Sequence, residues 1–215
     1  MVQEKDRLYS QRHNMVETQL KPRGINDERV LEAMLEVPRH LFVPENMKEF
    51  AYQDGALPIS EGQTISQPYI VAYMIEKLEI DSSSIVLEIG TGSGYGAAVL
   101  SRIAARVFTV ERHGSLAEEA ERKILSLGYD NISVKVDDGS EGWWENAPYD
   151  GIVVTAAANF TPDELVGQLK TEANMVIPIG DNFSQKLVKV KVNQYGDLIE
   201  KDLISVRFVP LISGS

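Results

Sequence analysis

Residues 85–94 read Ile-Val-Leu-Glu-Ile-Gly-Thr-Gly-Ser-Gly. The mostly apolar first half is typical of a buried strand, and the glycines allow a sharp turn into a helix predicted over 94–105. A strand, a glycine-rich turn and a helix form a cofactor-binding arrangement, because the backbone can approach the ligand and the helix N-terminus directs free N–H groups at it. This stretch predicts an α/β protein with a bound cofactor.

The rest of the chain supports that fold class. After Asp81, short apolar runs alternate with helical patterns, which indicates a parallel sheet covered on both faces. The predicted strands are Ile85–Ile89, Val107–Val110, Ile132–Val136, Gly151–Val154 and Met175–Ile179, with helices over 94–105, 115–127 and 162–169. Two further strands, over 186–192 and 203–209, flank a turn at 193–197 and predict an antiparallel hairpin. We expect a doubly wound, mostly parallel, seven-stranded sheet.

The first 80 residues have a different pattern. Helical spacing of apolar residues predicts two helices within 4–36, interrupted by Pro22 and Gly24. Periodicity fades over 37–67, a long irregular segment of the kind that carries function or a few short strands. A helix is predicted from Pro68, since proline is favoured in a first turn, through Leu78.

The composition narrows the function classes. The chain has 215 residues, a formal net charge of −11 and no cysteine. The charge argues against a nucleic-acid partner, since neutralising phosphates needs clustered Lys and Arg. The lack of cysteine excludes disulfides and thiolate catalysis. No stretch reaches the ~20 apolar residues of a membrane span, and the N-terminus has no apolar signal-peptide core. We therefore expect a cytoplasmic protein with no membrane partner.

The glycine loop alone leaves two cofactors open. Residues 92–97 also fit the dinucleotide pattern G-x-G-x-x-G/A, and Glu111 follows at the distance of a ribose-binding acid. Glu88, at the end of the strand, would repel a pyrophosphate but suits the sulfonium and ammonium of S-adenosylmethionine (SAM). Asp138, after the third strand, could accept a hydrogen bond from an adenine amino group, or form an Asp-Gly turn with Gly139. These acids favour SAM.

Several motifs together resemble the protein-L-isoaspartate O-methyltransferases. The most specific is Gly62-Gln63-Thr64-Ile65-Ser66-Gln67-Pro68-Tyr69, and the match also covers 29–44, 88–95, 110–112, 147–152 and 207–211. Departures are Ser60, where a glycine is usual, the segment Thr171–Asn174, which replaces a Pro-Gly-Gly-type turn, and Ile212 at a variable position. They concern substrate preference more than activity.

The resemblance implies a single SAM-dependent methyltransferase domain of the Rossmann-like type over 1–215, with N-terminal helices and a substrate loop in 1–80 and the core in 81–215. The enzyme would transfer methyl from SAM, leaving S-adenosyl-L-homocysteine, to the free α-carboxylate of L-isoaspartyl and D-aspartyl residues. The ester would then close spontaneously to a succinimide, which opens partly to normal aspartate. We expect a monomer acting on damaged peptides and proteins.

The resemblance also assigns roles to residues. Ser66 is the candidate for holding the acceptor carboxylate, although its position before Pro68 also suits helix capping. The predicted substrate-binding residues are Thr64, Ile65, Ser66, Gln67, Val209 and Pro210. The predicted cofactor-binding residues are Gln63, Thr64, Glu88, Gly90, Thr91, Gly92, Ser93, Gly94, Glu111, Arg112, Asp138 and Gly139.

Other features are left open or set aside. The three histidines, His13, His40 and His113, lack metal-ligand spacing, so we expect no metal site. Trp143 and Trp144 could form a wall over an adenine or simply pack in the protein. Another SAM methyltransferase, a nicotinamide-dependent oxidoreductase and a binding module without turnover remain alternatives.

Overall fold

The computed structural model describes residues 2–181 and 183–214. Its helices are α1 (Val2–Met15), α2 (Glu28–Glu36), α3 (Pro68–Leu78), α4 (Tyr95–Leu100), α5 (Gly114–Ser126) and α6 (Asp163–Val166). Its strands are β1 (Leu57–Pro58), β2 (Thr64–Ile65), β3 (Ile85–Ile89), β4 (Arg106–Glu111), β5 (Ile132–Val136), β6 (Tyr149–Val154), β7 (Leu169–Gly180), β8 (Gln185–Val192) and β9 (Leu198–Val206). The predicted α/β fold class is confirmed.

The central sheet has the strand order β5-β4-β3-β6-β7-β8-β9. Strands β3 to β7 pair in parallel, whereas β7, β8 and β9 form an antiparallel meander at one edge. The chain leaves β3 towards β5 and then returns to place β6 on the other side of β3. A crevice therefore opens at the carboxyl ends of β3 and β6, where ligands bind in open α/β sheets.

Two apolar clusters cover the two faces of the sheet. Alternating side chains of one strand enter different clusters, as strand geometry requires: Val153 packs with helices α1–α5, whereas Ile152 and Val154 pack with α6 and Trp143. Glu88 lies between Leu87 and Ile89, which both belong to the second cluster. Its side chain therefore points to the opposite face, towards α4.

The N-terminal part is organised as the sequence predicted. Helix α1 continues through single helical turns over 16–23 and ends at Gly24, whose φ of 91° favours glycine. Helix α2 begins after Asp27, whose side chain accepts from the Arg29 N–H at 2.9 Å. The irregular segment contains a small antiparallel pair, in which Leu57 faces Ile65. This pair brings 64–67 to the start of α3.

Four elements differ from their predicted bounds by three or more residues. Helix α4 ends at Leu100 and α6 spans only Asp163–Val166. Residues 171–174, read as a turn before a strand, lie inside β7, which begins at Leu169 because that residue pairs with Tyr149. The last strand is Leu198–Val206 rather than 203–209.

The end of β9 has a side-chain cause. The Phe208 N–H donates to Gln185 Oε1 at 2.6 Å, and Gln185 Nε2 donates to the Phe208 carbonyl at 3.2 Å. The chain then crosses to the segment that follows β6, where the Val209 carbonyl accepts from the Ala157 N–H at 2.8 Å. This crossing brings residues 207–212 over the crevice.

Across residues 2–181 and 183–214, no helix combines the length and apolarity needed to cross a bilayer. The same residues contain no group of three or more His, Asp or Glu side chains arranged to hold a metal ion.

Candidate active site

A cavity of about 550 Å³ lies at the crevice between β3 and β6. Its lining comes from the segment before α3 and the first turn of α3, the glycine loop after β3, the carboxyl ends of β4, β5 and β6, and the end of β9 with the segment that follows it. The sequence-predicted residues that line it are Gln63, Thr64, Ile65, Ser66, Gln67, Glu88, Gly90, Thr91, Gly92, Ser93, Glu111, Arg112, Gly139, Val209 and Pro210. Residues far apart in sequence, predicted for two different ligands, thus meet in one cavity.

The glycine loop is held in place by Thr155, the residue that follows β6. The Thr155 hydroxyl donates to the carbonyls of Ile89 (3.0 Å) and Gly90 (2.9 Å). Gly90 has a φ of 94°, and any β-carbon there would overlap the Thr155 hydroxyl. Glycine is required at this position both for its backbone conformation and for close approach to Thr155.

Glu88 is a buried acid at the cavity wall, with only 2% of its surface exposed. Its Oε2 accepts from the Thr109 hydroxyl at 2.7 Å, and Thr109 in turn lies 2.7 Å from the Thr91 hydroxyl. Burial raises the pKa of Glu88 from 4.5 to about 8; the Thr109 hydrogen bond opposes this, and the nearby Glu111 carboxylate adds to it. The Glu88 carboxyl group is therefore enclosed by the protein rather than exposed to solvent at the end of the strand.

The state of Glu88 tests the fit of the predicted cofactor. Among the described residues, no cation pairs with its carboxyl group, and no donor reaches Oε1. A buried carboxyl without a cation stays protonated at neutral pH. A ligand with an ammonium group would supply the missing positive charge. A pyrophosphate would instead place negative charge beside the buried acidic side chain of Glu88. The residues present fit SAM.

Glu111 holds the other side of the loop. Its Oε2 accepts from the Gly92 N–H at 2.9 Å and its Oε1 from the His113 N–H at 3.0 Å. An ionised carboxylate can accept about four hydrogen bonds. Capacity for two ribose hydroxyls therefore remains.

Two predicted cofactor residues do not line the cavity. Gly94 (φ 84°) caps the start of α4 and faces Ala120 and Ile124. Asp138 accepts from Ser140 through Oδ1 and from the Gly214 N–H through Oδ2, at 2.7 Å. Asp138 Oδ2 keeps an acceptor site, but Asp138 does not line the cavity, so its adenine role stays a prediction.

Ser66 lines the same cavity as residues 205–210. Helix α3 begins after Gln67 and has no side-chain cap, so Ser66 is not used for capping. Within the described residues its hydroxyl makes no hydrogen bond, and the side chain is half-buried. Beside it, Gln67 Nε2 donates to Asp54 at 2.7 Å. The Ser66 hydroxyl is free to receive a ligand.

Sequence reasoning missed part of the lining. Thr155 has no motif around it; the only sequence signal is its position just after an apolar strand, at the edge where ligands bind. The remaining lining residues, which lie outside the predicted substrate and cofactor sets, are Ala56, Ile70, Val71, Ile89, Tyr95, Gly96, Val110, His113, Ala156, Ser205, Val206, Arg207, Phe208, Leu211 and Ile212.

The two tryptophans do not contribute to the cavity lining. Trp143 packs edge-on against Phe108, with ring centroids 5.2 Å apart, and Trp144 is about half exposed. The packing alternative is the one observed.

Known proteins resemble this chain over most of its length. The family model described as protein-L-isoaspartate(D-aspartate) O-methyltransferase matches residues 10–215. A protein-L-isoaspartate O-methyltransferase of Pelotomaculum thermopropionicum is 54% identical over 207 residues, covering 96% of this chain and 90% of the relative. One from Geobacter metallireducens is 51% identical over 201 residues, covering 94% and 93%.

Solved structures give the same result. A protein-L-isoaspartate O-methyltransferase superimposes with a TM-score of 0.85 and 31% identity, over 95% of this chain and 66% of that longer chain. A putative enzyme of this kind from Plasmodium falciparum, solved in complex with S-adenosyl-L-homocysteine, superimposes with a TM-score of 0.79 and 27% identity, over 94% and 98%.

Proposed function

This chain belongs to the protein-L-isoaspartate(D-aspartate) O-methyltransferase family, and we propose that its cavity binds SAM and a damaged peptide together. The enzyme methylates the free α-carboxylate of L-isoaspartyl and D-aspartyl residues. The observation that carries the proposal is one cavity lined both by the glycine loop with buried Glu88 and by the free hydroxyl of Ser66.

The cofactor half binds by charge and hydrogen bonding. SAM supplies, when bound, a methyl group made electrophilic by its sulfonium. Glu88 offers a carboxylate to the cofactor's ammonium group, and Glu111 offers its remaining acceptor sites to ribose hydroxyls. Gln63, Thr64 and Arg112, with the loop 90–93 and Gly139, complete the cofactor contacts.

The acceptor half orients the carboxylate. An aspartyl-type carboxylate is already ionised at pH 7, so no general base is needed. Ser66 donates a hydrogen bond to one carboxylate oxygen and leaves the other free to attack, with Thr64, Ile65, Gln67, Val209 and Pro210 around it. A neutral donor suits this role because the carboxylate loses its charge as the ester forms. Orientation of this kind supplies roughly 7–11 kcal/mol in favourable cases.

The net charge of the chain bears on the class of substrate. A net charge of −11 supports a protein rather than a nucleic-acid substrate. We propose that the enzyme acts as a monomer in the cytoplasm on damaged proteins, without a membrane partner.

The test compares two peptides that differ only in one linkage. Methyl transfer from labelled SAM is expected to an isoaspartyl peptide and not to its normal aspartyl twin, and the label should be lost at mildly alkaline pH because the ester is labile. Equal labelling of the twins would indicate a different methyltransferase. SAM binding without transfer to either peptide would indicate a binding module.

A further inference from the structure

Two arginines line the cavity, and their surroundings differ. Arg112 lies on the cofactor side, where its Nη1 is 3.5 Å from the Ile212 carbonyl. Arg207 lies in the segment 205–210, which also contains the predicted substrate-binding residues Val209 and Pro210. Within the described residues Arg207 makes no ion pair, hydrogen bond or ring contact, and its side chain is exposed.

The two acids that line the cavity, Glu88 and Glu111, are predicted cofactor residues. The whole chain carries a net charge of −11, so an anionic substrate is repelled at long range. Field lines focus in clefts, so a cation that lines the cavity and has no acidic partner changes the local potential there.

We propose that Arg207 captures the anionic acceptor and distinguishes it from its neutral product. This inference rests on the proposed function. The isoaspartyl carboxylate is negatively charged, whereas its methyl ester is not. Attraction to Arg207 therefore draws in the substrate and is lost once the oxygen–methyl bond forms, which favours release of the ester.

Arg207 is a specificity residue and takes no part in the methyl transfer itself. A firm ion pair with the reacting carboxylate would stabilise the charged ground state more than the transition state, in which the charge is disappearing. An exposed guanidinium acts instead on encounter and binding, and its effect is screened by salt over about 8 Å at physiological ionic strength.

The experiment uses the full-length chain with Arg207→Gln, and Lys201→Gln as the matched control. Lys201 lies on β9, the strand that Arg207 follows, is exposed, has no ion pair among the described residues and does not line the cavity. KM and kcat are measured for an isoaspartyl peptide at several salt concentrations. An isoasparaginyl peptide, which has a neutral carboxamide in place of the carboxylate, is measured as a competitive inhibitor.

For Arg207→Gln we expect KM to rise about tenfold with kcat within twofold, and kcat/KM should no longer fall as salt is added. The wild type should bind the isoasparaginyl peptide about tenfold more weakly than the isoaspartyl one, and the variant should bind both alike. Lys201→Gln should leave all values unchanged, and Arg207→Lys should restore most of the affinity.

Four results would overturn the proposal. An active wild type with an unchanged KM in Arg207→Gln would remove Arg207 from capture. A fall in kcat at constant KM would assign it to the chemical step. An equal effect of Lys201→Gln would attribute capture to overall charge. A wild type that methylates neither the isoaspartyl peptide nor its aspartyl twin would overturn the proposed function, and this inference with it.

Discussion

The Glu88 carboxyl group occupies the space in which a side chain on Gly96 would lie: a β-carbon on Gly96 would overlap Glu88 Oε1. Glu88 points from β3 towards α4, and Gly96 is the second residue of that helix. The glycine is thus needed to accommodate a buried acid, and its φ is not in the left-handed region.

Gly96→Ala is therefore expected to displace Glu88 and weaken SAM binding by at least about tenfold. Forcing a methyl group into a packed site costs roughly 1–3 kcal/mol, which in a chain of this size lowers the Tm by several degrees, at about 2–4 °C per kcal/mol. Calorimetry and thermal unfolding measure the two effects. Gly55→Ala, where a β-carbon meets nothing within 4 Å, is the control. Normal SAM affinity in Gly96→Ala would contradict the role of Glu88.

SAM affinity is expected to depend on pH through Glu88. The pKa of its carboxyl group is raised to about 8 by burial, so the free protein must release a proton to pair with the cofactor's ammonium. Affinity should fall by up to about tenfold per pH unit below 8. It should fall again at higher pH, as an amino group of this type loses its proton near 7.7–8.0.

Titration calorimetry in buffers of different ionisation enthalpy measures the proton release directly. Glu88→Gln should bind more weakly, release no proton and lose the acidic limb of the profile. Identical pH profiles for the variant and the wild type would exclude Glu88 as the titrating group.

The stability of the cofactor-free protein should also depend on Glu88. The folded-state pKa is raised to about 8 from 4.5, so the unfolded chain loses this proton first. The stabilisation is complete below pH 4.5 and is lost as the pH rises through 8. Glu88→Gln should therefore raise the Tm relative to the wild type at pH 8.5 and much less at pH 5. A Tm difference that does not change with pH would contradict this.

Ser66→Ala is expected to lower kcat about 10- to 100-fold, since a hydrogen bond to a charged group contributes roughly 1.5–3 kcal/mol. SAM affinity should be unchanged. Because Ser66 neither caps α3 nor bonds to any described residue, the Tm should also be unchanged. Single-turnover transfer to an isoaspartyl peptide gives the rate, and an unaltered rate in the folded variant would remove Ser66 from the mechanism.

Glu111→Gln is expected to weaken SAM binding by about tenfold with little effect on kcat at saturation. An amide has one acceptor oxygen, which cannot serve the N–H groups of Gly92 and His113 and the ribose together. Glu118→Gln, an exposed change on α5, is the control. Equal affinity of Glu111→Gln and wild type would refute the ribose assignment.

Local patterns predicted the elements that decide the fold. The strand–glycine–helix unit at 85–100, the helix from Pro68 and the alternating elements after Asp81 follow from periodicity and turn chemistry. Boundaries were missed where tertiary contacts decide them: Gln185 draws Phe208 out of β9, and the pairing of Leu169 with Tyr149 extends β7 backwards.

The site was predictable in its motifs but not in its surroundings. Ser66 and Glu88 were identified from motifs, whereas Thr155 lies at a strand end with no motif around it. The pairing of Asp138 with Gly214, 76 positions away in the chain, could not be read from the Asp-Gly pattern.

The crossing of residues 207–212 over the crevice has a consequence for proteolysis. A cut in the turn between β8 and β9 would leave the glycine loop and Ser66 on one fragment and residues 205–212, which line the same cavity, on the other. An unbroken chain at this turn is therefore a condition for a complete cavity, and nicking there is expected to abolish methyl transfer.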